Sequence, residues 1–276
     1  MTTPHQQPAA PAASYTSPIP IRRAHLGDAL ASEWTKIRSV RSTMWTLGVM
    51  VLLMTVIGLG LAALVTAVGE PAPTDESVLG LGVFGALTGS ICVITLGALT
   101  VTSEFGTGMI RTTLTACPSR ARVLAAKALV FFVLAFTAAL VTVGLVALCQ
   151  VAMVDGREPT GEEWLLGTVG VSLFVALLGL TSLGVGAVVR HSAGAITIML
   201  GLMLLPLVAG FFMLGSSALQ DVSEVLLEYS VPAQLIGVYG EAAGSGPAGW
   251  GAVATMLGIA AVALGAGFAA IGARDV

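Results

Sequence analysis

LLGTVGVSLFVALLGLTSLGVGAVV, residues 165–189, runs for twenty-five positions without a charged side chain. Its apolar residues do not alternate with polar ones, so it lacks the wet and dry faces of a surface strand. Coiled as a helix at 1.5 Å per residue it extends about 37 Å, enough to cross roughly 30 Å of hydrocarbon. Five more windows read the same way: 44–68, 79–102, 128–151, 193–214 and 250–271. None holds Asp, Glu, Lys, Arg or His, and Pro206 is the only proline among them, expected to kink the fifth helix without ending it. The six windows occupy 142 of 276 residues, and the remaining 134 carry all 27 charged side chains. A soluble domain carries about 25% charge; here the figure is 10%, with 56% hydrophobic residues and mean hydropathy +0.94. The expectation is an all-α polytopic membrane protein with six transmembrane helices. A transmembrane barrel needs short alternating strands and aromatic girdles, which 34 glycines and 6% aromatics do not supply.

Basic residues stay on the cytoplasmic side and so orient the chain. Arg22, Arg23, Lys36, Arg38 and Arg41 precede the first window, and Arg111, Arg120, Arg122 and Lys127 separate the second from the third. Arg190 follows the fourth and Arg274 the sixth, so eleven of twelve basic residues share a side. Arg157 lies opposite, with eleven of the fifteen acidic residues. Six spans in the cell membrane with both termini cytoplasmic are expected. Residues 1–20, rich in Pro and Ala, read as a disordered cytoplasmic leader, since a signal peptide would place its apolar core near the start. Cys92, Cys117 and Cys149 form no C-x-x-C pair and have no histidine beside them to complete a metal set.

Two segments outside the windows carry pattern. In 26–40, within a segment 21–43 leading to the first span, Leu26, Ala29, Leu30, Trp34, Ile37 and Val40 recur at spacings of three and four. Asp28, Glu33, Lys36 and Arg38 take the remaining face. This predicts an amphipathic helix with an interfacial Trp, lying on the cytoplasmic leaflet; a basic flank that happens to be helical is the plainer alternative. The connection 103–127, SEFGTGMIRTTLTACPSRARVLAAK, is longer than a helix bundle needs. It mixes Phe105, Met109, Ile110 and Leu114 with Glu104 and Arg111. The mixture predicts a short helix with an apolar face for a cytoplasmic partner, ended by Pro118, with Ser119 capping the helix into the third span. A basic loop dipping into the headgroups is the alternative. Between the last two spans, 222–227 and 231–239 have the composition of short helices, and a plain extracellular loop fits them too.

In order, Glu104, Gly108, Pro118, Arg120 and Lys127 resemble the cytoplasmic loop of type 2 ABC transporter permeases. Glu33-Trp34-Thr35-Lys36-Ile37-Arg38-Ser39 is similar to the start of that family's elbow helix. Phe105, Gly106 and Thr107 follow Glu104 where the family's loop usually carries more charge. The resemblance implies an N-terminal elbow helix holding Glu33, Trp34, Lys36 and Arg38, and a cytoplasmic coupling helix between spans two and three. It implies that Glu104, Phe105, Gly108, Met109, Ile110, Arg111, Leu114, Pro118 and Arg120 dock a separate ATPase subunit, which holds the ATP and Mg. It also implies a second permease subunit, identical or not, around a central pathway.

Absent chemistry narrows the function. Ion-coupled carriers place ionisable groups at membrane depth, and the six windows have none. The three histidines, His5, His25 and His191, lie outside the windows, and no H-E-x-x-H occurs, against a membrane protease. Neither Lys36 nor Lys127 follows a glycine, so no phosphate-binding G-x-x-x-x-G-K-S/T is present. The chain is expected to be no enzyme, to bind no cofactor, metal or nucleic acid, and to export a hydrophobic or amphipathic compound. Phe84, Met203, Phe211 and Phe212 are the candidate lining of its pathway. An immunity or scaffold subunit that moves nothing is the alternative, and a secondary carrier a weaker one. Gly85 and Gly89 in span two, and Ala261, Gly265 and Ala269 in span six, allow close helix approach within the chain or between two copies.

Overall fold

The computed structural model describes residues 25–68, 77–117, 119–215, 217–240 and 245–273, and every regular element among them is a helix. The leader 1–20, Arg22, Arg23, Pro118 and Arg274 lie outside the described residues. In chain order the elements are α1 (Leu26–Ser39), α2 (Arg41–Val68), a 3₁₀ turn (Val78–Gly82) leading into α3 (Val83–Gly106), α4 (Met109–Ala116) and α5 (Arg120–Met153). They continue with α6 (Gly161–Leu165), a π turn (Leu166–Gly170), α7 (Val171–Val189), α8 (Ser192–Met213), α9 (Gln220–Glu228), α10 (Val231–Val238) and α11 (Trp250–Ala273). Six helices are long and apolar enough to cross a membrane: α2, Val78–Gly106, α5, Gly161–Val189, α8 and α11. The chain is a multi-pass membrane protein.

The helices outrun the charge-free windows. α3 continues to Gly106 and so includes Glu104, while α5 begins at Arg120 and includes Lys127. Its 34 residues reach about 51 Å, well beyond the hydrocarbon thickness. The N-terminus of α5 is capped as expected, Ser119 Oγ accepting from the Arg122 N–H. α8 runs unbroken through Pro206.

α7 is the centre of the bundle. Within Gly161–Val189, 83% of the most apolar stretch is buried, against 17% for α8 and 22% for α2 and α11. It packs against α3, α11, α5 and α8, and small residues set the distances. A Cβ on Gly97 of α3 would stand 2.2 Å from the Gly179 carbonyl oxygen of α7, and one on Gly184 2.5 Å from the Ala263 carbonyl carbon of α11. Ser182 Oγ crosses from α7 to donate to the Ile94 carbonyl at 2.6 Å. Gln150 does the same from α5 to α2, its Nε2 donating to the Gly58 carbonyl at 3.0 Å. With no hydrophobic drive between helices in lipid, such close backbones and interhelical hydrogen bonds hold the bundle.

Gly85 and Gly89 face α2 in the same chain: a Cβ there would meet Met54 at 2.7 and 2.5 Å. Ala261, Gly265 and Ala269 look outward from α11, with nothing within 4 Å of a Cβ built on Gly265. The described residues between α8 and α11 include two short helices: α9 lies against α8, and α10 buries Pro232, Leu235 and Val238 in the end of the bundle away from α1. Ser230 caps α10 by accepting from the Ala233 N–H, with Pro232 in its first turn. The π turn had no sequence expectation. It occurs where Leu79 and Val238 crowd Gly167 and Gly170, at 3.1 and 3.2 Å from their would-be Cβ positions.

Candidate functional site

Four charged side chains from three helices meet where α1, α3 and α5 converge. Lys127 Nζ of α5 donates to Glu33 Oε2 of α1 at 2.6 Å and to Glu104 Oε1 of α3 at 2.8 Å. Lys36 Nζ, one turn beyond Glu33, donates to Glu33 Oε1 at 2.8 Å and to Glu104 Oε1 at 2.9 Å. It also reaches Thr113 Oγ1 of α4 at 3.3 Å. Glu33, Glu104 and Lys127 are buried, only 2–3% exposed. Two carboxylates and two ammonium groups sum to zero, so the buried cluster carries no net charge. Each compact ammonium has three donors and bridges the two carboxylates. These are the only lysines in a chain with ten arginines.

Burial opposes the charged form of Lys36, but its hydrogen bonds to Glu33 and Glu104 and their charges outweigh it and raise the pKa above 10.5. A raised lysine stabilises the fold fully below its unfolded pKa and loses that contribution only as pH rises through the folded value. Lys36 is therefore ion-paired throughout the physiological range.

α4 hangs from this cluster. Gly108 joins it to α3 with φ +71°, a left-handed conformation that favours glycine. Ile110 turns inward, Thr113 and Leu114 are half-buried, and Met109, Arg111, Thr112 and Thr115 are exposed. A second link stands beside it. Arg190 ends α7 in the left-handed conformation, φ 58°. Its guanidinium lies 4.9 Å from the Phe105 ring centroid, and Nη2 donates to the Ala270 carbonyl at 3.2 Å. Arg120 Nη1 donates to the Ile271 carbonyl at 2.9 Å. Two cationic side chains thus serve the last carbonyls of α11, where the helix dipole also favours positive charge. Arg190→Ala is expected to cost about 2 kcal/mol from the lost charged hydrogen bond and ring contact. Hydrogen exchange should then be faster in the last turn of α11, and Arg190→Lys should recover only part of the loss.

No model of a known protein family and no curated protein matches the chain.

The structure sorts the residues singled out from sequence. On α1, Glu33 and Lys36 face inward while Leu26, Trp34 and Val40 are 44–47% exposed. The side of α1 buried against the protein is centred on Glu33 and Ile37, with Lys127 the buried partner of Glu33. Arg38 is exposed. Of the expected docking residues, Gly108, Met109 and Arg111 are accessible; Glu104 and Ile110 support α4 from within, and Phe105 and Leu114 are half-buried. Arg120 is engaged with α11, and Pro118 is not among the described residues. Phe84, Phe211 and Phe212 face outward from α3 and α8, whereas Met203 is in the core, so the four do not form one lining. Thr113 and Arg190 were not foreseen. The signal for the cluster was the scarcity of lysine, both copies of which fall inside it. Among the described residues no group of three or more His, Cys, Asp or Glu could hold a metal ion.

Proposed function

We propose that the chain is the membrane-spanning permease subunit of an ATP-driven exporter, similar to type 2 ABC permeases and worked by a separate ATPase subunit holding ATP and Mg. It pairs with a second permease subunit in the cell membrane, with both termini and the basic end of the bundle on the cytoplasmic side. The observation that carries this reading is the Glu33–Lys36–Glu104–Lys127 cluster. A surface helix that merely decorated a membrane protein would need no buried ionic tie to three separate elements. Force applied at exposed Met109 and Arg111 passes through Ile110, Thr113 and the Gly108 turn to α1, α3 and α5 together. The apolar surfaces of the spans suit a hydrophobic or amphipathic cargo.

The test is whether the detergent-solubilised protein co-purifies with a soluble ATPase and raises its turnover. Binding without stimulation or transport would favour a scaffold subunit, and transport that follows an ion gradient and ignores ATP would favour a carrier. Met109→Asp and Arg111→Glu are expected to reduce ATPase stimulation and transport at least tenfold while leaving membrane insertion and thermal stability unchanged. Unchanged coupling in both variants would remove α4 as the contact.

A further inference from the structure

One oxygen of the ion cluster is left over. Glu104 Oε1 accepts from both lysines, but Glu104 Oε2 is buried and has no hydrogen-bond partner. An unsatisfied buried carboxylate oxygen is costly, so a donor placed against it is favoured. Glu104 lines a cavity of about 130 Å³ between α1, α3 and the first turn of α2. Its wall is amphipathic, combining Thr46, Thr100 and Ser103 with Ile37, Leu96 and Leu99. Thr46 and Thr100 have spent their hydroxyl protons on the Ser42 and Leu96 carbonyls, at 2.9 and 2.7 Å, and so present lone pairs to the cavity. Those hydroxyls and Glu104 Oε2 offer acceptors, while the Lys36 and Lys127 ammonium groups that also line the cavity are already engaged with Glu33 and Glu104. A cation would add charge beside two lysines that already neutralise the two carboxylates. An anion would meet Glu104 itself. An uncharged hydroxyl escapes both penalties.

We infer that this cavity binds the neutral, hydroxyl-bearing head of an amphiphile, one hydroxyl donating to Glu104 Oε2 while the apolar body lies along Ile37, Leu96 and Leu99. The volume admits a head of a few heavy atoms, or about four waters at roughly 30 Å³ each. The site does not rest on the permease reading, since binding needs neither an ATPase nor transport.

Monooleoylglycerol, methyl oleate and oleylamine share a chain and differ in the head, so they separate the possibilities. With the protein in phosphatidylcholine nanodiscs, monooleoylglycerol is expected to bind saturably at one molecule per chain, and the other two at least tenfold more weakly. Leu99→Trp fills the cavity without touching the ion cluster and should weaken monooleoylglycerol at least tenfold at an unchanged unfolding temperature. Should that variant misfold, Thr46→Val removes one acceptor at constant volume and should weaken binding about fivefold. Equal binding of the three probes, tighter oleylamine, no saturable binding because the cavity holds water only, or indifference to both substitutions would overturn the inference. Mass spectrometry of the protein taken directly from membranes distinguishes the source. A co-purified hydroxylated lipid marks a resident bilayer molecule, and an empty site that still takes monooleoylglycerol marks one in transit.

Discussion

Lys127→Ala is expected to destabilise the folded protein by about 3–5 kcal/mol, the cost of removing one partner from a buried ion pair and leaving the other charge uncompensated. Lys127 is only 3% exposed and holds both Glu33 and Glu104, so its loss leaves two buried carboxylates sharing Lys36. The measurement is denaturant or thermal unfolding in detergent. Two companions separate charge from packing. Glu33→Ala added to Lys127→Ala leaves the neutral pair Glu104–Lys36 and should recover more than half of the loss. Lys127→Arg keeps the charge but not the compact shape, and should fall between wild type and Lys127→Ala. A Lys127→Ala protein within about 0.5 kcal/mol of wild type, the usual range for a surface substitution, would mean that the cluster is open to water.

Gly97→Ala is the second large effect. One methyl group would stand 2.2 Å from the Gly179 carbonyl oxygen, where the obstacle is backbone and cannot rotate away. Overpacking of this kind costs about 1–3 kcal/mol, and the upper end is expected because α3 and α7 must separate along their whole contact. Gly184→Ala, 2.5 Å from the Ala263 backbone, should behave alike. Gly265→Ala is the control: nothing lies within 4 Å of its added carbon, and the helix gains about 1 kcal/mol of propensity at most. Similar unfolding for Gly97→Ala and Gly265→Ala would contradict the described packing of α3 on α7.

The number and approximate position of the spans were legible because charge is excluded from hydrocarbon, and a charge-free run of twenty residues is conspicuous. Their ends were not. Charge marks where a helix can no longer face lipid, and Glu104 and Lys127 face each other, so the helices continue past the point where the windows stop. Which side of α1 meets the protein was not legible for a related reason. Periodicity sorts residues into apolar and charged stripes, but Glu33 is buried by a partner 94 positions away, and no local pattern encodes that. Gly85 and Gly89 were recognisable as a close-packing pair, yet their partner Met54 was not, since any apolar span could have filled the groove. Ser119 was predictable as a cap because its hydrogen bond is made within its own first turn. Local chemistry was readable, and tertiary pairing was readable only where composition was unusual, as with the two lysines.

The central position of α7 also bears on how the protein is made. Its small residues are arranged for helices on several sides, and Gly184 fits against α11, which leaves the ribosome last among the described helices. At 5–20 residues per second, on the order of ten seconds separates the end of α7 from the end of α11. During that interval the Gly184 face is without its α11 partner. A chain that ends before α11 therefore leaves α7 with one small-residue side unpacked.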